Sequence, residues 1–503
     1  MASMLELIGG ERIERHRPWP RVVVSEDAWR FTCGELAAGR CTLLGLWGDA
    51  PPAVHMAVLD ETAREIAVIT LACPDMQYPS VGARHAPAIR LERALRDLYG
   101  IEPMGLPDAR PWLDLGCWEL QYPLGRRRPA EPTPAPYAFL PCEGESLHQI
   151  PVGPVHAGII EPGHFRFTAN GETVVRLEER LGYVHKGIEA LMAGAALGQA
   201  ARLASRASGD STVAYALAFA HAVEAAAGVE VPARAVHLRA LMAELERLAN
   251  HFGDIGAVCN DASFALMHAR CAVLRERVVR AADSCFGHRL MMDVVAPGGV
   301  ARDPGAGCRA QLSALVTELR RSFPELVELY DNTASLQDRT ATTGILTAEL
   351  ARRFGAGGYV GRGSGRAFDA RKLPGYPPYD GLAFEVPVFE AGDVNARVWV
   401  RIREVEQSLG LIDQILQTLP GGAIRAEVKA VGTVREGLGL VEAFRGDVLA
   451  WVRLEGDRVA RCHLRDASWF QWPLLEAVID GNIVADFPLC NKSFNCSYSG
   501  HDL

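Results

Sequence analysis

The sequence has no pair of cysteines in CxxC spacing, although it contains twelve cysteines. Iron–sulfur clusters usually need such local clustering, so we expect no cluster within this chain. Scattered thiols also suit a reducing cytoplasm better than a disulfide framework. The formal net charge of -9 is not accompanied by a dominant basic stripe, which argues against a nucleic-acid partner.

Long apolar runs are missing as well. Residues 1–14 contain no apolar region of the kind found in secretory signals. The most apolar stretch, residues 212–229, is interrupted by His221 and Glu224, whereas a membrane-spanning helix needs about 20 nearly uncharged residues. We therefore expect a buried helix here, in a cytoplasmic protein that reaches the inner face of the cell membrane only through partner subunits.

The chain is long enough for two or three domains, since 503 residues exceed one ordinary core. Three arginines and four prolines lie between positions 126 and 136, and proline at this density cannot continue a helix or fill a central strand. We place a proline-rich linker at 123–149, between an N-terminal domain at 1–122 and a larger domain at 150–503.

The hydrophobic periodicity predicts an α+β fold. Before the linker, short apolar runs and one leucine-faced helix predict a small α+β domain. After it, a strand-like region at 150–180 and long amphipathic helices imply a helical bundle with flanking β segments. The predicted N-terminal elements are strands at 21–24, 42–47, 53–59 and 65–70 and a helix at 88–99. The later ones are helices from about Pro232 to Gly253, at 309–329 with a bend at Pro324, and at 398–416, then strands such as 448–454.

Three local motifs have ordinary structural explanations. The glycine run at 355–365 is followed by three prolines and lacks GK[ST], which favours a tight loop over a nucleotide site. The polar stretch at 208–211 precedes an alanine-rich helix and is typical of a helix N-cap. His156, Glu161 and His164 lie close together in sequence, as polar residues of a turn often do.

Taken together, several stretches resemble a known family. Residues 91–101 and 105–108 resemble the signature of the C subunit (30 kDa-type) of complex I. The second part of the chain is similar to the D subunit (49 kDa-type) and to the large subunit of group 4 nickel–iron hydrogenases. The stretches that carry this second resemblance are 161–166, 181–189, 231–234, 244–248 with His251, 297–300, 362–365 with Asp369 and Arg371, and 481–486.

The resemblance implies a fused C–D subunit at the junction of a hydrophilic arm and a membrane arm, within a hetero-oligomeric complex. Such a subunit packs on a small iron–sulfur subunit, which carries the cluster, and lies beside membrane-arm subunits. In complex I the interface with the small subunit forms a quinone pocket. In the hydrogenases the equivalent cavity holds nickel and iron, bound by two CxxC pairs.

This sequence departs from the hydrogenase pattern at both cysteine pairs. Ser208 to Ser211 stand where the first pair is expected, and Ser497 to Gly500 stand at the second, with Cys496 one residue out of register. Hydroxyls replace thiolates poorly as ligands of soft metals, so we expect no metal site. The tyrosine that contacts quinone in complex I is not matched either, because Gly209 or Ser205 falls near its position.

Two functions follow from the resemblance. In the first, the chain belongs to an oxidoreductase that couples electron transfer, from NADH or another donor to quinone or another acceptor, to ion translocation. The candidate proton-relay residues are then Glu161, His164 and Asp210, since a carboxylate in a cavity can relay protons when burial raises its pKa. The residues expected to line the vestigial metal or quinone cavity are Ser208, Gly209, Ser211 and Tyr498.

In the second function, the chain is a non-redox scaffold with a vestigial cavity, which transmits conformational change or docks partners. Both hypotheses make one geometric prediction. Segments 208–211 and 497–500 should face each other across a small cavity, although nearly 300 residues separate them, because both cysteine pairs of the relatives bind one metal centre. Glu161 should point into the same space.

Overall fold

Three strands that are buried along almost their whole length form one side of the N-terminal sheet, with Thr42–Asp49 at the edge beside Ala53–Asp60 and Glu65–Ala72. In the computed structural model, which describes residues 7–305 and 307–503, Arg21–Val23 pairs parallel to the third of these strands, and Glu11–Ile13 completes the five-stranded sheet. Near-continuous apolar runs of this kind fit a sheet that is covered on both faces. The four predicted strands are confirmed.

The helix Ile89–Tyr99 packs on this sheet through Leu91 and Leu95, which are buried on one face. It ends at Gly100, whose φ of 73° places it in the left-handed region that terminates helices. The predicted helix at 88–99 is therefore confirmed, and the N-terminal part has the expected small α+β architecture.

Long helices form the core of the second part. The most apolar stretch of the sequence, residues 212–229, contains the buried helix Thr212–Ala227. It is followed by Ala233–Asp261, Ala265–Phe286, Cys308–Asn332 with Pro324 inside it, and Val394–Thr418. No helix among the described residues is both long enough and apolar enough to cross a membrane.

The helix Ala233–Asp261 continues past Gly253, where the sequence predicted its end. Beyond the glycine, Ile255, Val258 and Cys259 remain buried against neighbouring helices. A glycine inside a helix costs only about 1 kcal/mol relative to alanine, and burial of these three side chains outweighs that cost.

Two sheets, antiparallel apart from one short edge strand, flank the bundle. One contains Leu147–Val152, His164–Asn170 and Thr173–Arg180. The other joins Val431–Glu442, Asp447–Gly456 and Arg458–Arg465, with short strands Ala195–Ala196 and His16–Arg17 at its edges. His16 pairs with Glu436, so the N-terminal part contributes a strand to the C-terminal sheet. No helix or strand occupies positions 130–146, within the predicted linker.

The remaining elements are short. The helices are Glu26–Ala37, Ile188–Met192, Leu197–Ala204, Ala334–Thr340, Ala348–Arg353, Gly358–Arg362, Ser468–Val478, Phe487–Phe494 and Tyr498–Asp502. The strand pairs are Gln77–Pro79 with Glu102–Met104, Leu120–Gln121 with Arg128–Pro129, and Val295–Ala296 with Gly299–Val300. Residues 1–6, part of the segment considered for a secretory signal, lie outside the described residues.

The glycine run contains the short helix Gly358–Arg362, so the predicted continuous loop is wrong over these residues. The glycines allow close approach of backbone segments. A Cβ atom at Gly361 would lie 1.9 Å from the carbonyl oxygen of Ala356, and one at Gly358 would lie 2.1 Å from that of Arg445. Packing rather than nucleotide binding accounts for these glycines.

Ten of the twelve cysteines have free thiols. Cys285 and Cys308 form a disulfide between the ends of two successive helices. The expectation of scattered thiols is wrong for this pair, because the chain reverses direction between the helices and brings their Cα atoms to 5.2 Å.

The close approach at the glycine run leads to a stability prediction. Replacing Gly361 by alanine should lower the free energy of unfolding by about 1–3 kcal/mol, because the added methyl group overlaps a backbone carbonyl. Gly421→Ala is the control, since a Cβ there meets no atom within 4 Å. Chemical denaturation measures both variants, and equal stabilities would contradict the close approach.

Candidate functional site

The two segments that replace the cysteine pairs meet in the structure. The Oγ atoms of Ser208 and Ser497 lie 2.9 Å apart and share a hydrogen bond, although 289 residues separate them. Both side chains are buried. The predicted contact is confirmed, but the hydroxyls bond directly to each other where a small cavity was expected between the segments.

Asp210 anchors the first segment. Its Oδ1 accepts hydrogen bonds from the hydroxyls of Ser208 at 2.7 Å and Ser211 at 3.2 Å. Its Oδ2 lies 2.5 Å from the guanidinium of Arg445. Burial alone would raise the pKa of Asp210, but the charge of Arg445 outweighs this effect and holds that pKa below its usual range. Asp210 is therefore an ionised carboxylate at neutral pH.

The second segment is held by its backbone and by Ser497. The Ser497 N–H donates to Ser468 Oγ at 2.8 Å, and the Ser497 carbonyl accepts from Trp472 at 3.2 Å. Ser497 Oγ also accepts from the Gly500 N–H at 2.9 Å and thereby caps the helix Tyr498–Asp502. These bonds satisfy polar groups whose burial would otherwise cost about 1–3 kcal/mol each.

The space beside Gly500 is occupied by protein. A Cβ atom at this position would lie 2.7 Å from Asp466 Oδ2 and 2.8 Å from the Tyr215 hydroxyl. Asp466 and Tyr215 are joined by a hydrogen bond of 2.9 Å. A side chain reaching a metal from position 500 does not fit, and the serines offer hydroxyls rather than thiolates. The residues present therefore do not suit a nickel–iron centre.

No group of three or more His, Cys, Asp or Glu side chains suited to a metal ion occurs in 7–305 and 307–503. Asp210, with its arginine and two hydroxyls, is instead a charged hydrogen-bonded cluster. We call Ser208, Asp210, Arg445 and Ser497 the serine–aspartate cluster. Hydrogen bonds connect its partly exposed carboxylate through the Ser208 hydroxyl to Ser497 in the buried tail.

The N-cap interpretation of the first segment is wrong. Neither Ser208 nor Ser211 accepts a capping hydrogen bond. Glu246, from the neighbouring long helix, accepts instead from the N–H groups of Val213 at 2.7 Å and Ala214 at 3.1 Å. A carboxylate from another helix satisfies the helix N-terminus, which leaves the serine hydroxyls available to Asp210.

Glu161 lies at the rim of the cluster. Its side chain is exposed, and its Oε2 accepts from the Ser499 N–H at 3.0 Å. The expectation that it points into the shared space is corrected, because it contacts the second segment from the solvent side. Tyr498 is buried behind that segment, with its hydroxyl 3.3 Å from Nε2 of His156, and burial raises its pKa.

His164 and Gly209 do not belong to the cluster. His164 lies on the strand His164–Asn170, where its ring contacts Phe139 at a centroid distance of 4.8 Å and accepts from Arg166. Because successive side chains of a strand point to opposite faces, the His164 side chain is directed away from the serine–aspartate cluster. Gly209 is exposed, and a Cβ there would meet nothing within 4 Å, so it lines no cavity.

Sequence reasoning missed Arg445, Asp466 and Tyr215. Arg445 lies in the turn between strands Val431–Glu442 and Asp447–Gly456, where an arginine is unremarkable on its own. In the sequence, the only local signal is the adjacent glycine, Gly446. In the structure this glycine has a φ of 138°, a backbone conformation that favours glycine. The contact to Asp210 spans 235 residues and has no local signature.

Comparison with known proteins places this arrangement in context. Residues 261–437 match the family described as respiratory-chain NADH dehydrogenase, 49 Kd subunit. Formate hydrogenlyase subunit 5 of Escherichia coli is 36% identical over 85% of this chain and 77% of its own length. Hydrogenase-4 component G of the same organism is 33% identical over 90% of this chain and 80% of its own.

A solved structure is similar as well. A chain of the membrane-bound sulfane sulfur reductase, described as an archaeal respiratory membrane complex, superposes with a TM-score of 0.67. The match has 27% identity and covers 71% of this chain and 99% of that one.

The ion pair at the cluster leads to a prediction on pH. Arg445→Gln should lower the free energy of unfolding by about 1–3 kcal/mol at neutral pH, less than for a fully buried pair because the Asp210 side chain is 39% exposed. Since the native pKa of Asp210 is depressed, its stabilisation exists above the usual carboxyl pKa and disappears as pH falls through the native value. The difference from wild type should therefore shrink below about pH 4.

Arg206→Gln serves as the matched control, because Arg206 pairs with Asp293 at 2.6 Å while both side chains are 41% exposed. Its effect should stay below about 1 kcal/mol. Denaturant titrations across the acidic range measure both variants, and equal losses would show that Arg445 does not depend on burial for its contribution.

Proposed function

This chain belongs to the family of the 49 kDa-type subunit of respiratory NADH dehydrogenase and the large subunits of related hydrogenases, and we propose that it forms the large hydrophilic-arm subunit of a membrane-associated oxidoreductase without a nickel–iron centre. The complex would couple electron transfer, from NADH or another donor to quinone or another acceptor, to ion translocation. The observation that carries the proposal is the direct hydrogen bond between Ser208 and Ser497.

That bond supports the absence of a metal because it joins two of the four positions that bind metal in the hydrogenase pattern. A third position, Ser211, bonds to Asp210. The fourth, Gly500, is closed by Asp466 and Tyr215. Each group is already satisfied by a protein partner, so a metal would have to break several buried hydrogen bonds and find no thiolate in return.

The surface beside the cluster supports a partner subunit. Val155 and Ile159, on the loop that precedes Glu161, are exposed to 85% and 101%. Tyr183, which is close to Lys186 in sequence, is exposed to 45%. Large apolar side chains in such a group are typical of a surface that another protein covers. The partner we propose is a small iron–sulfur subunit, which would carry the cluster and form a quinone site at the interface.

Membrane attachment would come through further subunits. The relatives include a component of a respiratory membrane complex, and no helix in the described part of this chain meets the requirements for spanning a bilayer. We propose a peripheral position on the inner face of the cell membrane, with Glu161 as the proton-relay candidate beside the partner. Asp210 does not meet the condition of a raised pKa, because Arg445 lowers its pKa.

One observation favours the alternative, a scaffold that couples conformational change without electron transfer of its own. The hydroxyls of Ser208 and Ser497 satisfy each other, which a structural contact needs and a substrate cavity does not. The two functions differ in the activity of the purified complex, since a scaffold complex without an electron-input subunit should reduce no quinone from any donor.

The metal content of the complex tests the proposal directly. Purified with its partners, the chain should hold far less than one nickel per molecule and should take up no hydrogen, because thiolate ligation supplies the affinity of such sites. Elemental analysis and a hydrogen-uptake assay are the measurements, with a hydrogenase of the same family purified in parallel. Stoichiometric nickel would refute the proposal.

Assembly tests the partner surface. Ile159→Asp should reduce recovery of the chain with membranes about tenfold or more, the loss expected when an interface anchor worth about 1.4 kcal/mol or more is removed. Val273→Asp is the control, because Val273 is 51% exposed on the helix Ala265–Phe286. Quantitative immunoblotting of co-expressed subunits in membrane fractions reads out both variants, and equal recovery would assign the loop no role in assembly.

A further inference from the structure

A second group of charged side chains lies buried inside the helical part of the protein. Each member is at most 2% exposed. The group contains four carboxyl groups, three guanidinium groups and one imidazole: Glu244, Asp369, Glu404, Glu442, Arg247, Arg362, Arg371 and His251. We call it the interior charge cluster.

Two arginines link the carboxyl groups. Arg362 lies 2.6 Å from Glu404 and 2.8 Å from Glu442. Arg371 lies 2.7 Å from Asp369 and 3.0 Å from Glu244. Arg362 also lies 3.6 Å from Asp369, so Asp369 lies between the two arginines. These contacts join helices, a loop and a strand that are far apart in sequence.

Arg247 and His251 are the remaining members, and they do not bring the net charge of the cluster to zero. Arg247 lies 3.4 Å from Glu244 and donates both terminal nitrogens to the carbonyls of Glu442 and Ala443. His251 Nε2 lies 2.7 Å from Glu404, and its Nδ1 has no hydrogen-bond partner among the described residues.

The charges in this interior do not cancel. Burial lowers the pKa of His251 and keeps its imidazole neutral. Four carboxylates then face three guanidinium groups, so the cluster carries one negative charge when every carboxyl is ionised. The neighbouring pairs, Arg401 with Asp254 and Arg465 with Asp447, are each balanced already. An uncompensated charge in a dry interior is costly, and proteins relieve it by binding a proton.

We infer that the interior charge cluster is a proton-binding site, in which Glu442 holds one exchangeable proton. Glu442 is the only carboxyl of the cluster with a single guanidinium group within 4.0 Å, that of Arg362, since each of the other three carboxyls has two. Its Oε1 accepts from Arg362 and its Oε2 from the Ala370 N–H at 2.9 Å. Glu244, in contrast, accepts from Arg371, from the Tyr379 hydroxyl at 2.7 Å and from the Ser408 hydroxyl at 2.6 Å.

Electrostatics supports the same assignment. Burial, then the like charges of Asp369 and Asp447, raises the pKa of Glu442 to about 7 against the opposing charges of Arg362 and Arg247. In Asp369 the arginines outweigh burial and lower the pKa to about 2. Burial lowers the pKa of His251, so the imidazole is the weaker proton acceptor.

This site adjoins the serine–aspartate cluster along the chain. Glu442 ends one strand and Asp447 begins the next, and the turn between them carries Arg445, the partner of Asp210. Ala443 and Gly446 close this turn with mutual backbone hydrogen bonds. Loss of the proton from Glu442 would draw Arg362 and Arg247 toward a new anion three residues from Arg445. The inference rests on charge balance and stands without the proposed function.

The test compares two matched amide variants of the full-length chain. Glu442→Gln mimics the protonated acid and should keep the thermal midpoint of wild type at about pH 4, below the usual carboxyl pKa. The native pKa of Glu442 is raised, so its stabilisation is complete at low pH and is lost as pH rises through about 7. The midpoint of wild type should therefore fall relative to Glu442→Gln between about pH 4.5, the usual carboxyl pKa, and about pH 7, and the difference should stay constant above that.

Glu404→Gln is the control within the same cluster. Burial would raise the pKa of Glu404, but Arg362 and His251 outweigh it, so this pKa is lowered. The variant should be less stable than wild type throughout the same pH range, because it leaves cations without their anion. Equal destabilisation by both variants at every pH would overturn the assignment.

Infrared difference spectroscopy provides a readout that does not depend on stability. The protonated-carboxyl C=O band of wild type at pH 6 should lose one component in Glu442→Gln, and that component should disappear from wild type as pH rises to about 8. Subtraction of the variant removes the bands of other buried acids, such as Glu246, whose pKa burial raises to about 8. An unchanged band would refute a proton at Glu442.

Discussion

Charge compensation of buried arginines is the constraint on which the rest of this structure depends. Arg362 has no exposed surface, and it can be buried only because Glu404 and Glu442 come from a helix and a strand on either side of it. The same requirement joins Arg239 to Glu224 and Arg401 to Asp254. A buried pair of this kind adds little net stability, but removal of one partner is costly, so the pairs fix which segments pack together.

The serine–aspartate cluster obeys the same constraint at the edge of the interior. Arg445 is buried and requires Asp210, and Asp210 in turn orders the hydroxyls of Ser208 and Ser211. The guanidinium of Arg445 also donates to the Asn495 carbonyl at 2.5 Å, two residues before Ser497. One cation therefore positions both segments, at the place where the hydrogenase pattern has its cysteine ligands.

Metal binding and proton exchange make different demands on the residues of a site. A thiolate centre needs soft anionic ligands and open coordination positions, whereas the present residues form neutral hydroxyl pairs closed by Asp466 and Tyr215. Proton exchange needs only hydrogen-bonded oxygens and a carboxyl with a suitable pKa. Asp210 provides hydrogen-bonded oxygens but has a lowered pKa, whereas Glu442 is the carboxyl that we propose for proton exchange. The family membership of the chain places it among subunits of redox complexes.

The sequence by itself determined the elements whose signals are local. Short apolar runs located the strands Ala53–Asp60 and Glu65–Ala72, and three- to four-residue spacing located the helix Val394–Thr418. Helix ends were predicted less accurately than helix positions. The helix Ala233–Asp261 continues past Gly253 because the residues beyond it are buried, and neighbouring residues in the sequence do not reveal that burial. The contact of Ser208 with Ser497 was predicted only through family resemblance, since neither segment carries a local reason to meet the other.

Tertiary structure alone decided the chemistry of the interior. It assigned Arg445 to Asp210, gave the helix N-terminus to Glu246 instead of a serine, and placed Glu161 at the rim. It also set four carboxyls against three guanidinium groups around Arg362. Each of these depends on distances between residues that lie tens to hundreds of positions apart. Coulomb energies and desolvation follow those distances and the local dielectric, which the order of residues in a chain does not contain.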